Sequence, residues 1–539
     1  MQHQKKGFFV ALILGFLSVG CSPQNDTSNS AGILVRSLAA EPDSLDPQHT
    51  DLAEAQTVLR DLCDGLFVLD HQARLGLGVA QSYSKSPDGR TYTFQLRPNA
   101  RWSDGTRVVA ADFVRGLRRL ADPAVGSPYG MFADSIVNAP QIRSQQLAVD
   151  QLGVTAPAEG TLVIQLSAPR PDFLQMLSHP SACPVPPAQA DTNQRVHNVW
   201  MNVTNGAFVL KEWKHQSYLL LAPNPYYIDR SVVHLSGVKY LVIANAEDQL
   251  RRYRSGELHV TTAIPRGEFD WVKSHLQGQL RSSPKLAVYF YGFNLERAPF
   301  KDNLALRQSL SLAIDRELLA ESLLRVGERP AGRWIPPDVD GYRAPPSAGS
   351  DHLSTAERIA LARRRYAEAG YSPAHPVQFQ LRFNDGEVHP KLAVAIASMW
   401  KEVLGADVSL WKQEFGALNQ DVRLGQVEMF RSSWIADYND PSSFADYFLR
   451  SGVNQVRYQN PAYDRLLSHA QRAQDPETRI GLLQQAEELL LADQPIIPIY
   501  FMALNHLVQP SVVGWYQNPL DVVYSKDITL RPAASRSVH

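Results

Sequence analysis

The stretch Arg431-Ser-Ser-Trp-Ile-Ala-Asp-Tyr-Asn-Asp-Pro441 constrains this chain more than any other. Arg431 to Ile435 reads as a short extended run. Asp437, Asn439, Asp440 and Pro441 then supply turn chemistry, because short polar side chains bond their own backbone and Pro presets φ. An aromatic ring, Trp434, therefore stands three residues before an acid, Asp437, at the mouth of a strand. With no second titrating group beside it, this layout is a poor one for proton transfer. It suits the capture of an extended chain with a positive end. The backbone around Ser433 and Ile435 can pair with such a chain, Trp434 can floor a side-chain pocket, and Asp437 can hold an ammonium. An edge strand followed by a solvated acidic turn fits the same residues.

The N-terminus predicts export. Lys5 and Lys6 precede an apolar run from Gly7 to Gly20, which is short for a bilayer span and is followed by polar residues. Residues 1–20 therefore read as a signal peptide. Ser18-Val-Gly-Cys21 resembles a lipoprotein processing site, although Leu17 lies one place ahead of the position where such sites usually carry Leu. It predicts lipidation of Cys21, with ordinary signal cleavage near Gly20 as the alternative. Residues 22–32 have little apolar content to bury and read as a flexible tether. No other run approaches spanning length, so membrane association is expected through the lipid alone.

Loss of Lys5 and Lys6 with the signal takes Lys+Arg from 53 to 51 against 54 Asp+Glu, a net charge near −3. That balance argues against a nucleic-acid partner, which wants a basic face. The length suffices for two or three domains. Three cysteines, one of them the lipidation candidate, cannot build a zinc cage or a disulfide-dense scaffold. There is no HExxH, GxSxG, GxxxxGK[ST] or CxxC, and Gly76-Leu-Gly78 lacks the third glycine of a nucleotide loop. No catalysis, metal or cofactor is expected.

Along the chain, Ile33 to Leu38 reads as a buried first strand ended by Glu41-Pro-Asp-Ser-Leu-Asp-Pro47, and a helix is expected from Ala55 to Leu62. Thr91 to Leu96 alternates as a half-buried strand. Asn99-Ala-Arg-Trp-Ser-Asp-Gly105 is a turn, and Ala111-Asp112 starts a helix through Phe113, Leu117 and Leu120, with Trp102 and Asp104 read as structural. Ser178-His-Pro-Ser-Ala-Cys-Pro-Val-Pro-Pro187 is a stiff connection. A helix over 356–369 ends on Gly370, as a left-handed cap would.

These segments, with Trp434 to Pro441, resemble the oligopeptide-binding proteins, the extracytoplasmic receptors of ABC peptide importers. The similarity runs along nearly all of the chain after about residue 33. It implies an α/β periplasmic-binding-protein type II fold of the large, peptide-binding subtype. Lobe I would comprise 33–63, 188–286 and 508–539, lobe II 64–187, and a hinged lobe III 287–507. The signal peptide (1–20) and a lipid-anchored tether (21–32) would precede them.

By the same resemblance, Asp437 binds a peptide's α-ammonium and the strand holding Ser433, Trp434 and Ile435 pairs with its backbone. Asp51 to Ala53 form the second backbone edge. Tyr129 reaches the ligand from the smaller lobe, and Phe415 is an aromatic wall where the family commonly has Trp. Arg431 matches a family arginine near the site. His389 points at the C-terminal half of longer peptides, although a lone His also reads as a surface cap. Relatives with a cysteine directly after the site Trp bridge it to one at the start of lobe III. Here Ile435 and Ala287 occupy those places. Cys63 and Cys183 fall beside the two connections between lobes I and II; two buried free thiols are expected there rather than a bridge. The implied partners are short peptides and the permease subunits of an ABC transporter, with the receptor a monomer. A murein-peptide, dipeptide, nickel or haem receptor of the same family is an alternative, and a periplasmic peptide-processing enzyme is a rival from another class.

Overall fold

A computed structural model describes residues 32–187, 203–344, 353–450 and 452–531. The predicted signal peptide, Cys21 and residues 22–31 of the tether lie outside the described residues, as do 188–202 and 532–539 of the predicted lobe I. Among the described residues no helix is long and apolar enough to cross a membrane.

Three sheets organise the chain. In the first, the strands run in the order Ile33–Leu38, Gly237–Val242, Tyr218–Pro223 and Phe208–Lys214. The outer Ile33–Leu38 pairs in parallel and the remainder are antiparallel. Its core joins Leu34 and Leu62 to Phe208, Tyr240 and Val260, and then to Val508 and Ile528. Three stretches far apart in sequence thus share one apolar interior, a product of long-range pairing.

The second sheet is antiparallel, in the order Ala80–Lys85, Thr91–Leu96, Thr161–Gln165 and Val154–Ala158. Tyr92, Phe94 and Leu96 alternate inward as the period of two requires. Helix Ala110–Ala121 covers them with Phe113, Leu117 and Leu120, spaced along one helical face. Asp112 satisfies that helix's start by accepting from the Val109 backbone N–H at 2.9 Å and from Trp102 Nε1 at 3.0 Å. Asp104 accepts from the Thr106 N–H at 2.9 Å, closing the turn. Both residues are structural, as the sequence predicts.

The third sheet has six strands, ordered Arg329–Pro330, Ile496–Leu507, Leu280–Phe293, Met429–Ile435, Gln378–Asn384 and Asp407–Gln413. Both faces of its central strands are buried. Val288, Phe290 and Phe430 face Trp334 and Phe444, whereas Tyr289, Tyr291, Met429 and Leu381 pack with Trp400 on the other side. Helix Thr355–Glu368 packs on the second of these cores, capped by Ser354 and Glu357 and followed by Gly370 at φ 89°. The long strands Leu280–Phe293 and Ile496–Leu507 run on from this sheet towards the first, where the Thr261 N–H donates to the Leu507 carbonyl at 3.0 Å.

One expectation is overturned. Cys63 and Cys183 form a disulfide, not two free thiols. Cys63 follows helix Ala53–Leu62, and Cys183 follows a single turn, Pro180–Ala182, on the proline-rich connection. Packing of that connection against helix Ala110–Ala121 carries it back to the first helix. There the two Cα atoms stand 6.4 Å apart, within bridging range. The approach is so close that a Cβ on Gly116 would run into the Cys183 carbonyl oxygen.

Candidate ligand-binding cavity

Strand Met429–Ile435 is paired unevenly. Along one edge all seven residues pair with Leu280–Phe293, from Met429 opposite Phe293 to Ile435 opposite Ala287. Along the other edge only Met429 and Phe430 pair, with Leu381 and Arg382. From Arg431 to Ile435 that second edge is unpaired among the described residues. Ser433, Trp434 and Ile435 line a cavity of about 350 Å³ there, and Asp437 stands at the end of the run. An unpaired edge beside a cavity is a template for one more strand.

Two other walls complete the cavity. One is the start of helix Ala53–Leu62, with Asp51 just ahead of it. The helix begins two residues before the expected Ala55, so Ala53 is its first turn rather than loop. Ala53, Gln56, Thr57 and Arg60 all face the cavity, at helical spacing, while Ala55, Val58, Leu59 and Leu62 are buried behind them. The other wall carries Tyr129, whose ring packs 4.2 Å from that of His179.

The electrostatics centre on Asp437. Its backbone N–H donates to Ser443 Oγ at 3.0 Å, but its carboxyl has no hydrogen-bond partner among the described residues. Burial and then the charge of Asp51 push that carboxyl up to about 7. Burial and the same two acids push the Tyr129 hydroxyl well above the usual phenol range, so it stays a donor. Burial, helped by Arg60, holds the His179 imidazole neutral.

Trp434 is locked by its Nε1, which donates to the Ser443 carbonyl at 2.7 Å, and by edge contact with Tyr447, 5.0 Å between ring centres. Beyond it lies a second cavity of about 390 Å³, which shares Met131, Trp434, Asp437 and Val453 with the first. A buried polar network closes this side. Arg170 pairs with Asp172 at 3.0 Å and with Asp446 at 2.8 Å. Asp172 also accepts from Tyr438 at 3.1 Å and from Ser442 at 2.9 Å. The stretch from Arg170 to Asp172 is thereby fastened to the turn that carries Asp437.

Of the ten residues expected at a site, seven line this one cavity: Asp51, Ala53, Tyr129, Ser433, Trp434, Ile435 and Asp437. Arg431, His389 and Phe415 do not. The Arg431 guanidinium lies 4.7 Å from the Tyr289 ring centre and donates to Asn384 at 3.0 Å. His389 packs 5.6 Å from the same ring, and burial, with the Arg431 and Arg266 charges, holds it down to about 3. Phe415 is half-exposed at the start of helix Phe415–Arg423, next to the outermost strand. Ile435 and Ala287, where relatives carry their bridge, are direct cross-strand partners. Sequence reasoning missed Arg60, His179 and Lys285 on the cavity wall. Arg60 had a signal, since it extends the polar stripe of its helix opposite the apolar one; Lys285 had none.

The chain is similar to known proteins along nearly its whole length. Residues 74–455 match the family described as bacterial extracellular solute-binding proteins, family 5 Middle. The periplasmic murein peptide-binding protein MppA of Escherichia coli is 35% identical over 534 residues, 98% of this chain and 99% of its own length. The probable deoxycholate-binding periplasmic protein YgiS of the same organism is 36% identical over 502 residues, 91% of this chain and 92% of its own. Among solved structures, Haemophilus influenzae OppA in complex with RPPGFSPFR is similar with a TM-score of 0.83. It shares 32% identity over 93% of this chain and 99% of that one. The mixed α/β architecture is that of the type II periplasmic binding proteins, and this chain belongs to the bacterial extracellular solute-binding proteins, family 5.

Proposed function

We propose that this protein is an extracytoplasmic receptor that binds short peptides by their backbone and N-terminal ammonium and delivers them to the permease of an ABC importer, without catalysis. The observation that carries this reading is the edge from Arg431 to Ile435, unpaired among the described residues, whose Ser433 to Ile435 line a cavity and which leads to the Asp437 carboxyl, without a hydrogen-bond partner among those residues. A peptide strand laid on that edge would place its ammonium at Asp437 and its first side chains against Trp434 and Tyr129. Running back from Ile435 to Arg431 it would cover five residues, four steps and about 13 Å at strand rise. That reach would bring the later residues of longer peptides towards Arg431, His389 and Phe415.

The three sheets and their cores support a division into lobe I (33–63, 188–286, 508–539), lobe II (64–187) and lobe III (287–507). Closure of lobe III on lobe II, held by the Arg170–Asp172–Asp446 network, would be the state a permease reads. The N-terminal pattern supports removal of residues 1–20 and a lipid anchor on Cys21, with the monomeric receptor facing the periplasm.

Relatives at nearly equal identity are named for a murein peptide and for deoxycholate, so resemblance alone does not select the ligand; the strand edge favours a peptide. Mass spectrometry of ligand released from native protein is the test. Peptides of a few residues, intact after incubation with the protein, are expected. A bile acid, or cleavage of an added peptide, would replace this reading.

Binding should also depend on pH in a defined way. Asp437 sits at about 7 in the free cavity, and an ammonium beside it would lower that value. Affinity is then fully present above pH 7 and is lost as pH falls through it. The peptide's amine, with a pKa near 7.7–8.0, must itself be protonated, so affinity falls again above that range. Titration calorimetry should give a maximum between these limits, with each unit of pH outside them costing up to about tenfold. A flat profile from pH 5 to 7 would exclude ionised Asp437 as the ammonium's partner.

A further inference from the structure

We propose that the cavity selects ligands carrying a carboxylate one or two residues from the free ammonium, received by Lys285 and Arg60. The inference rests on the peptide reading and adds a chemical preference to it.

Both cations line the same cavity as Asp437 and are half-buried. Neither makes a hydrogen bond or an ion pair among the described residues. Lys285 owes its position to an interruption in strand Leu280–Phe293. Pro284 pairs with Ala503 and Val288 with Phe501, so four steps on one strand oppose two on the other. Such an irregularity re-aims a side chain out of the regular alternation. The backbone beside Lys285 is held on both sides, since the Leu286 N–H donates to the Pro519 carbonyl at 2.8 Å and the Leu286 carbonyl accepts from Ala436 at 2.9 Å. Asp521, whose carboxyl feels the Lys285 charge, is already bonded to His506 at 2.9 Å.

Arg60 stands in the last turn of helix Ala53–Leu62, on its cavity face, close enough to Tyr129 and His179 for its charge to act on both. Those two groups offer it no ion pair, because the phenol stays protonated and the imidazole neutral. The cavity thus presents Asp51 and Asp437 to a cation, while Asp521, also on its wall, is bonded to His506. Lys285 and Arg60, without a hydrogen bond or ion pair among the described residues, are left to receive something else. A peptide with an ammonium alone would satisfy the acids and leave both cations partly desolvated and unpaired. A carboxylate near the ammonium completes the arrangement with charge-assisted hydrogen bonds. It can come from an acidic side chain or from the C-terminus of a dipeptide.

Calorimetric titration separates the sources. Ala-Glu-Ala-amide against Ala-Gln-Ala-amide tests the side chain, and Ala-Ala against Ala-Ala-amide tests the terminus, each on wild type, Lys285→Gln, Arg60→Gln and the double variant. Wild type should favour the charged member of at least one pair by about tenfold, the order expected for a charge-assisted bond. That preference should shrink in each single variant and fall below about twofold in the double variant. Affinity for Ala-Gln-Ala-amide should hold or rise in every variant, since fewer cations are then left unpaired, and this also shows that the variants fold. Equal binding within both pairs by wild type overturns the inference while leaving the peptide reading intact. A preference that survives in the double variant, or loss of the Gln peptide along with the Glu peptide, assigns the cations a structural role and overturns it too. If wild type binds none of the four, the peptide reading fails, and the inference with it.

Discussion

Asp437→Ala is expected to weaken binding of a free-amino tripeptide by about two to three orders of magnitude. The carboxyl lines the cavity, has no hydrogen-bond partner among the described residues, and is pushed up to about 7 by burial and by Asp51. An ammonium placed against it shares a site shielded from water, where attraction and hydrogen bonds offset the desolvation of both charges. Removing one partner leaves the other buried and unpaired, typically a loss of about 3–5 kcal/mol. At about 1.4 kcal/mol per decade this is the stated fall in affinity. An exposed acid on a surface turn would change binding by under about 1 kcal/mol. N-acetylation of the peptide removes the other half of the pair and should weaken wild type comparably. The two losses should not add, because each destroys the same interaction. Calorimetry on the four combinations decides the matter. Equal binding of acetylated and free peptide by wild type would remove Asp437 from the ammonium site.

Loss of the Cys63–Cys183 bridge should be the largest effect on stability. The bond closes a loop of 120 residues, worth about 4–5 kcal/mol in the chain-entropy model. Nearly the whole second sheet and its core lie within that loop, so its unfolding should separate from that of the other cores when both cysteines are changed to Ser. Calorimetric melting should show a transition lowered by several degrees, with the remainder little moved. The bond also joins the helix carrying Ala53 and Arg60 to the connection carrying His179, so peptide affinity should fall modestly, by less than about tenfold. Thiol titration of denatured, unreduced protein should find neither Cys63 nor Cys183 reactive. Two reactive thiols there would contradict the bridge.

The seven expected residues that line one cavity come from three parts of the chain that nothing local connects. Resemblance placed them, and long-range pairing assembles them. The same resemblance marks Arg431, His389 and Phe415, which are not on the wall of this cavity. Here Arg431 and His389 are held by Tyr289, whose ring packs against both. The helix starts at Ala53, two residues before the expected Ala55; Asp51 and Leu52 give no strong helix-start signal, and Leu52 supplies no side-chain cap.

The features legible from the residues alone are local and periodic. Alternation makes Thr91–Leu96 a half-buried strand, spacing of Phe113, Leu117 and Leu120 makes their segment an amphipathic helix, and Asp437 to Pro441 end the strand before them. Each follows from bonding and burial within a few residues. Long-range packing sets the pairing of Arg431 to Ile435, which among the described residues is paired on one edge and unpaired on the other, since that depends on where Gln378–Asn384 stops pairing. It alone decided that Cys63 meets Cys183, because bridging needs a distance that packing of the proline-rich connection sets. It alone turned Lys285 into the cavity, through an irregularity between two strands over 200 residues apart in the chain. The charge state of Asp437 belongs with these: a carboxylate on an open turn and one beside Asp51 in a closed cavity have the same sequence around them, and differ only in how much water and how much negative charge the fold leaves next to them.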